Sequence, residues 1–364
     1  MKKKRTYIFA MLGTAVLGLL VGCTSNDDGT PATAKKQHEL HLTMGARFYT
    51  DDATTRAASL PEDYTLYDPT TTLSPITQIQ GYLTTTESTE SYIAVSFNYS
   101  YADDTPAWTS RVALQDNQYY LYGFMPKEAA SNVNIAPNGT DYSIGATLTF
   151  TANAVSPHDI CVITGVKGYD TTEPTAITTG AFGYNTTDGD NLFLLADHIY
   201  AGLQFAMRVD GTYDKLRTIK VKSITLTPTA TGAVSTYDVT VKVNNTSGLE
   251  SVDFNSPTST STPTPTVIYD GEGVTLTTSA QAFQACLCPP TATKGSEYKL
   301  TTIYDVYDRK NNLIREDQTA QNTITLSNAL GAGQRHTVNI TVKPTYLYVL
   351  SDDDLDDPTF SITH

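Results

Sequence analysis

The chain has 364 residues, of which 40% are apolar and 17% charged, with a formal net charge of -14. That apolar share can bury a core and excludes wholesale disorder. The acidic balance excludes a nucleic-acid partner, because phosphate binding needs clustered Lys and Arg.

The 23 Tyr and 11 Phe, set among many Thr and Val and punctuated by 23 Gly and 17 Pro, point to strands and turns. Aromatic and β-branched side chains suit a pleated, half-buried surface. An all-β chain of this length predicts about two antiparallel β-sandwich domains.

Lys2, Lys3, Lys4 and Arg5 form a basic start, and Ile8 to Leu20 is an apolar run too short to span a bilayer. The run ends in Leu20-Val21-Gly22-Cys23, which resembles a lipobox. Residues 1–22 are therefore expected to be a removed signal peptide. Cys23 is then the lipidated first residue, which tethers the precursor to the outer membrane. Thr24 and the pair Asp27-Asp28 follow, similar to the export tag of surface lipoproteins in Bacteroidota.

From residue 38 the pattern alternates. Leu40, Leu42 and Met44 interleave with His41 and Thr43, a strand signature. His38 and His41 form an H-x-x-H, which a strand would point to opposite faces, a poor arrangement for one metal. A polar stretch with Arg47 and Arg56 comes next.

Further strands are expected at Tyr92 to Tyr99, Gln118 to Phe124 (aromatic throughout), Thr147 to Thr151 and Asp159 to Thr164. Leu203, Phe205, Met207 and Val209 then share one face. Ile219 and Val221 lie on odd positions, while Ile224 and Leu226 lie on even ones. This one-residue slip predicts a β-bulge near Ser223. Tyr237 to Val243 and Val338 to Val342 alternate cleanly. The Ser/Thr/Pro run from 256 to 266 reads as a surface loop. A domain boundary is expected near residue 190, giving domains at 57–190 and 191–364.

No catalytic constellation, metal-ligand spacing or cofactor motif stands out. Besides Cys23, the cysteines are Cys161, Cys286 and Cys288, an odd set best read as small buried hydrophobes. The acidic run from Asp352 to Asp357 reads as a solvated segment.

Three stretches resemble the fimbrillin superfamily of Bacteroidota: Tyr119-Tyr120-Leu121-Tyr122-Gly123-Phe124-Met125-Pro126, His198 to Phe205 with Leu216 to Val221, and Val342 to Asp354. The resemblance implies two tandem transthyretin-like sandwiches and a type V pilin that polymerises by donor-strand exchange. It implies a trypsin-like protease cutting after an arginine, here Arg56 or alternatively Arg47. Residues 23–56 would then leave as tether and first strand, with Leu40, Leu42 and Met44 as its inward face. The donor strand implied for a neighbouring subunit is Tyr346, Leu347, Tyr348, Val349 and Leu350. The expected partners are further copies of the chain or related pilins, at the cell surface. The alternatives are a glycan-binding adhesin lipoprotein, or a tip or anchor subunit.

Overall fold

The computed structural model describes residues 38–46, 65–66, 78–85, 92–102, 105–115, 117–154, 157–168, 181–184, 191–229, 233–255, 259–260, 265–283, 286–289, 297–326, 330–343 and 359–363. These form twenty-four strands with two short 3-10 turns and, among the described residues, no α-helix. The expected all-β class holds.

In chain order the first eleven strands are β1 (His38–Ala46), β2 (Thr65–Leu66), β3 (Gln78–Thr85), β4 (Ile93–Ala102), β5 (Thr105–Val112), β6 (Asn117–Met125), β7 (Ala130–Pro137), β8 (Gly145–Asn153), β9 (Cys161–Gly168), β10 (Ala181–Tyr184) and β11 (Asn191–His198). There follow β12 (Ala201–Val209), β13 (Thr218–Pro228), β14 (Ala233–Val234), β15 (Thr236–Asn244), β16 (Gly248–Asn255), β17 (Ser259–Thr260), β18 (Thr266–Thr275) and β19 (Gln281–Ala282). The last five are β20 (Cys286–Cys288), β21 (Glu297–Tyr307), β22 (Leu313–Thr325), β23 (Arg335–Lys343) and β24 (Thr359–Thr363).

The first sheet runs β10-β6-β3-β4-β5-β1-β11-β9, with β2 added to β1. It closes on itself where β9 returns to β6, pairing Val162 with Phe124 and Cys161 with Met125. A closed sheet has no free edge to template unwanted pairing. Its interior is filled by Leu40, Leu42, Ile79, Phe97, Trp108, Leu121, Leu192 and Leu194.

The aromatic run of β6 has a physical cause in this arrangement. Tyr119, Leu121 and Met125 point into the closed sheet. Tyr120, Tyr122 and Phe124 point outward, into a second core. That core is covered by the sheet β16-β15-β8-β7, through Phe150, Val239, Val241 and Phe254. A strand buried on both faces reads as a continuous apolar run instead of alternating. Gly123 is needed on this strand because a Cβ there would meet the Gln80 carbonyl oxygen of β3 at 2.1 Å.

The remaining strands form a sandwich around a third core. One layer is β19-β12-β23-β24, with β20 also on β12, and the other is β18-β13-β21-β22. Leu203, Phe205, Met207 and Val209 of β12 are all buried against Ile219, Val221 and Ile224 of β13. Register in β13 shifts between Val221 and Ser223, the slip that the odd-to-even change of parity predicts. Val239, Val241 and Val243, and Val338, Ile340 and Val342, are buried as their alternation requires.

Two features depart from a plain antiparallel sandwich. β1 runs parallel to β11, and β12 runs parallel to β23. Pairing also crosses residue 190. β11 joins β1 and β9, and β15 joins β8 from Thr236↔Asn153 to Asn244↔Gly145. Strands from the chain's second half therefore complete sheets of its first half.

Tyrosine burial makes the fold sensitive to alkali. Burial, helped by Tyr92, pushes the Tyr82 hydroxyl up to about 12 from an ordinary 10.0. Burial also raises Tyr120, Tyr122, Tyr142, Tyr200 and Tyr237. A raised folded-state value means the folded chain keeps protons that the unfolded chain loses. This stability is full below pH 10 and falls as pH climbs from 10 toward 12. Tyrosinate absorbance from these residues is expected to appear together with loss of the strand circular-dichroism signal. Gradual titration near pH 10 with the strand signal intact would contradict this burial.

Candidate functional site

The structure seats β1 inside the closed sheet. It pairs antiparallel with β5, from His38↔Val112 to Leu42↔Trp108. On its other edge it pairs parallel with β11, from His41↔Asn191 to Ala46↔Ala196. Its backbone is thus paired on both sides. Period-two geometry sends Leu40 and Leu42 to one face, and both are fully buried, in the core that holds Trp108, Leu192 and Leu194. Burying two leucines contributes about 1.5–3 kcal/mol each. Met44 belongs to the same strand, and its backbone pairs with Leu194.

β1 is joined to the rest of the sheet by a segment that contains Arg47 and Arg56. Both arginines lie outside the described residues, as do Cys23 and the stretch Tyr346, Leu347, Tyr348, Val349 and Leu350. The described C-terminal strand is β24, which follows that stretch. It adds to the edge of β23, from Lys343↔Thr359 to Asn339↔Thr363. Phe360 is 5% exposed, its ring centroid lies 5.0 Å from that of Tyr304, and its carbonyl accepts a hydrogen bond from Asn322 Nδ2 at 2.8 Å.

One cluster is not legible in the sequence, where Cys161 reads as a small buried hydrophobe. Cys161 is buried, as expected of a small hydrophobe. However, its Sγ stands 3.2 Å from His198 Nδ1, and the same nitrogen stands 3.0 Å from Asp159 Oδ1. Burial pushes the Cys161 thiol up, so it is neutral at physiological pH. Burial by itself would lower His198, but Cys161 and Asp159 outweigh it and hold the imidazole well above 6.5.

No family model and no curated protein matches the chain. The chain is similar to solved fimbrial and cell-adhesion proteins of Bacteroides. A candidate cell adhesion protein from Bacteroides fragilis aligns with 89% of this chain and 97% of its own, at 12% identity and a TM-score of 0.47. A fimbrial protein from Bacteroides vulgatus aligns with 88% of this chain and 98% of its own, at 14% identity and a TM-score of 0.43. A candidate cell adhesion protein from Bacteroides uniformis aligns with 92% and 98%, at 13% identity and a TM-score of 0.44.

Proposed function

We propose that the chain is a structural pilin of the fimbrillin type, exported as a lipoprotein through Cys23, cut after Arg56 or Arg47, and polymerised at the cell surface by donor-strand exchange. The observation that carries this reading is the seat of β1, paired on both edges and covering the core with Leu40 and Leu42. Taking out such a strand leaves two rows of unpaired backbone groups and an apolar trough, which favours refilling by another strand.

The segment from 345 to 350 supplies that strand in this reading, with Tyr346, Tyr348 and Leu350 on one face. One end of each subunit accepts and the other donates, which generates an open head-to-tail filament. Until the protease acts, the tethered β1 keeps the trough filled. Loss of residues 23–56 then separates the mature subunit from its lipid.

Several aromatic residues that could serve a glycan-binding alternative are core residues. Trp108 is 1% exposed, and Tyr119, Tyr120, Tyr122, Tyr142, Tyr200 and Tyr213 are buried as well. None of these offers a flat ring to a sugar.

N-terminal sequencing of protein sheared from cells tests the maturation route. A start at Ala57 or Phe48 is expected, and the protein should migrate as an SDS-resistant ladder. Sheared protein that still carries lipidated Cys23 and runs as a monomer would overturn the pilin reading in favour of a tethered one.

A further inference from the structure

We propose that Asp159, Cys161 and His198 bind a single zinc-class divalent cation at the point where the first sheet closes. The placement follows from strand geometry. Asp159 lies two residues ahead of Cys161, which is the first residue of β9. His198, the last residue of β11, stands directly opposite Cys161 in register, and directly opposite residues on antiparallel strands share a face. Cys161 also pairs with Met125 of β6, so the cluster sits where β6, β9 and β11 meet.

The donor atoms converge. One nitrogen, one sulfur and one carboxylate oxygen all lie within 4.8 Å of one another. With metal–ligand bonds of about 2.0–2.3 Å, tetrahedral donors stand roughly 3.3–3.8 Å apart. The observed 3.2 and 3.0 Å are a few tenths short of this, which rotation of the carboxylate and imidazole can supply. Asp197, the neighbouring carboxylate, accepts a hydrogen bond from Thr164 Oγ1 at 2.8 Å.

The chemistry selects the ion. Thiolate with imidazole suits zinc, whereas calcium and magnesium take oxygen ligands. Three protein ligands leave a fourth position for water. The Asp159 side chain is 37% exposed and His198 13%, which gives the ion a path in from solvent. On binding, zinc forms bonds to sulfur, nitrogen and oxygen, and the protons of the thiol and the imidazolium pass to solvent. The ion ties β9 to β11, which is also the parallel neighbour of β1.

The proposal is independent of the pilin reading, since its test reads metal and not polymer. The full chain, stripped with a chelator, is titrated with cobalt(II). One equivalent is expected to give a thiolate-to-cobalt charge-transfer band that zinc abolishes, and saturating zinc should raise Tm by about 5 °C. Cys161→Ser and His198→Gln should each lose the band, and Asp159→Asn should weaken cobalt binding roughly tenfold or more. Absence of a band in the wild-type chain, or a band that persists in Cys161→Ser, overturns the site. Should Cys161→Ser not fold, the native mass of the wild-type chain decides: one retained zinc supports the site, and none overturns it.

Discussion

Protein cut between residues 47 and 56 is expected to exchange its first strand for an added copy of the same strand, and uncut protein is not. A fluorescent peptide of residues 38–46 should bind the cut form, read as a rise in anisotropy. Its leucines should carry most of the affinity. Leu40 and Leu42 are both fully buried, and two such side chains represent about 3–6 kcal/mol together. At about 1.4 kcal/mol per tenfold, a peptide with Leu40→Asp and Leu42→Asp should bind at least 100-fold more weakly. Equal binding by the two peptides would mean that backbone pairing alone holds β1, and the trough would lose its role.

The second large effect is expected at the other end of the chain. Phe360→Ala should destabilise the C-terminal sandwich by about 3–5 kcal/mol, the usual cost of deleting a buried aromatic ring. Phe360 belongs to the same core as Phe205, Tyr304 and Ile340, and not to the cores of the first sheet. Calorimetry should therefore show one transition moving down while a second, from the closed sheet, holds its temperature. Ending the chain after Pro358 removes β24 entirely, which should lower the first transition further and uncover the edge of β23. A single transition that shifts as a whole would show that the cores melt together.

Local pattern and long-range pairing were not equally legible in the sequence. The large apolar residues of β12, β15 and β23 fall on alternate positions, and that alternation marks the strands directly. The bulge in β13 was legible as well, because an extra residue flips the parity of every side chain after it. β6 advertised burial through its aromatic run, but not that its two faces serve different cores. Which strand pairs with which is another matter. Nothing local in residues 236–244 names residues 145–153 as partner, so a boundary drawn near residue 190 missed that β15 and β11 complete the earlier sheets. The same limit hid the Asp159–Cys161–His198 cluster. Asp159 and Cys161 two residues apart are a weak signal until the register places His198 opposite Cys161. The buried face of β1 at Leu40 and Leu42 was legible because one alternating strand carries it whole. The arginines, Cys23 and residues 346–350 lie outside the described residues.

The seat of β1 also has a consequence for timing. A strand held by neighbours on both sides would not drop out when the chain after it is cut. On the pilin reading, the clipped piece would stay in place as a non-covalent plug, and the subunit would remain folded and inert. Proteolysis would then set no clock; the slow unzipping of the plug by an incoming strand would. Polymer should appear only after a delay following the cut, and that delay should shorten as subunits become more concentrated. A cell could thus accumulate clipped subunits on its surface without filaments forming at random, and growth would be fastest where subunits arrive most densely.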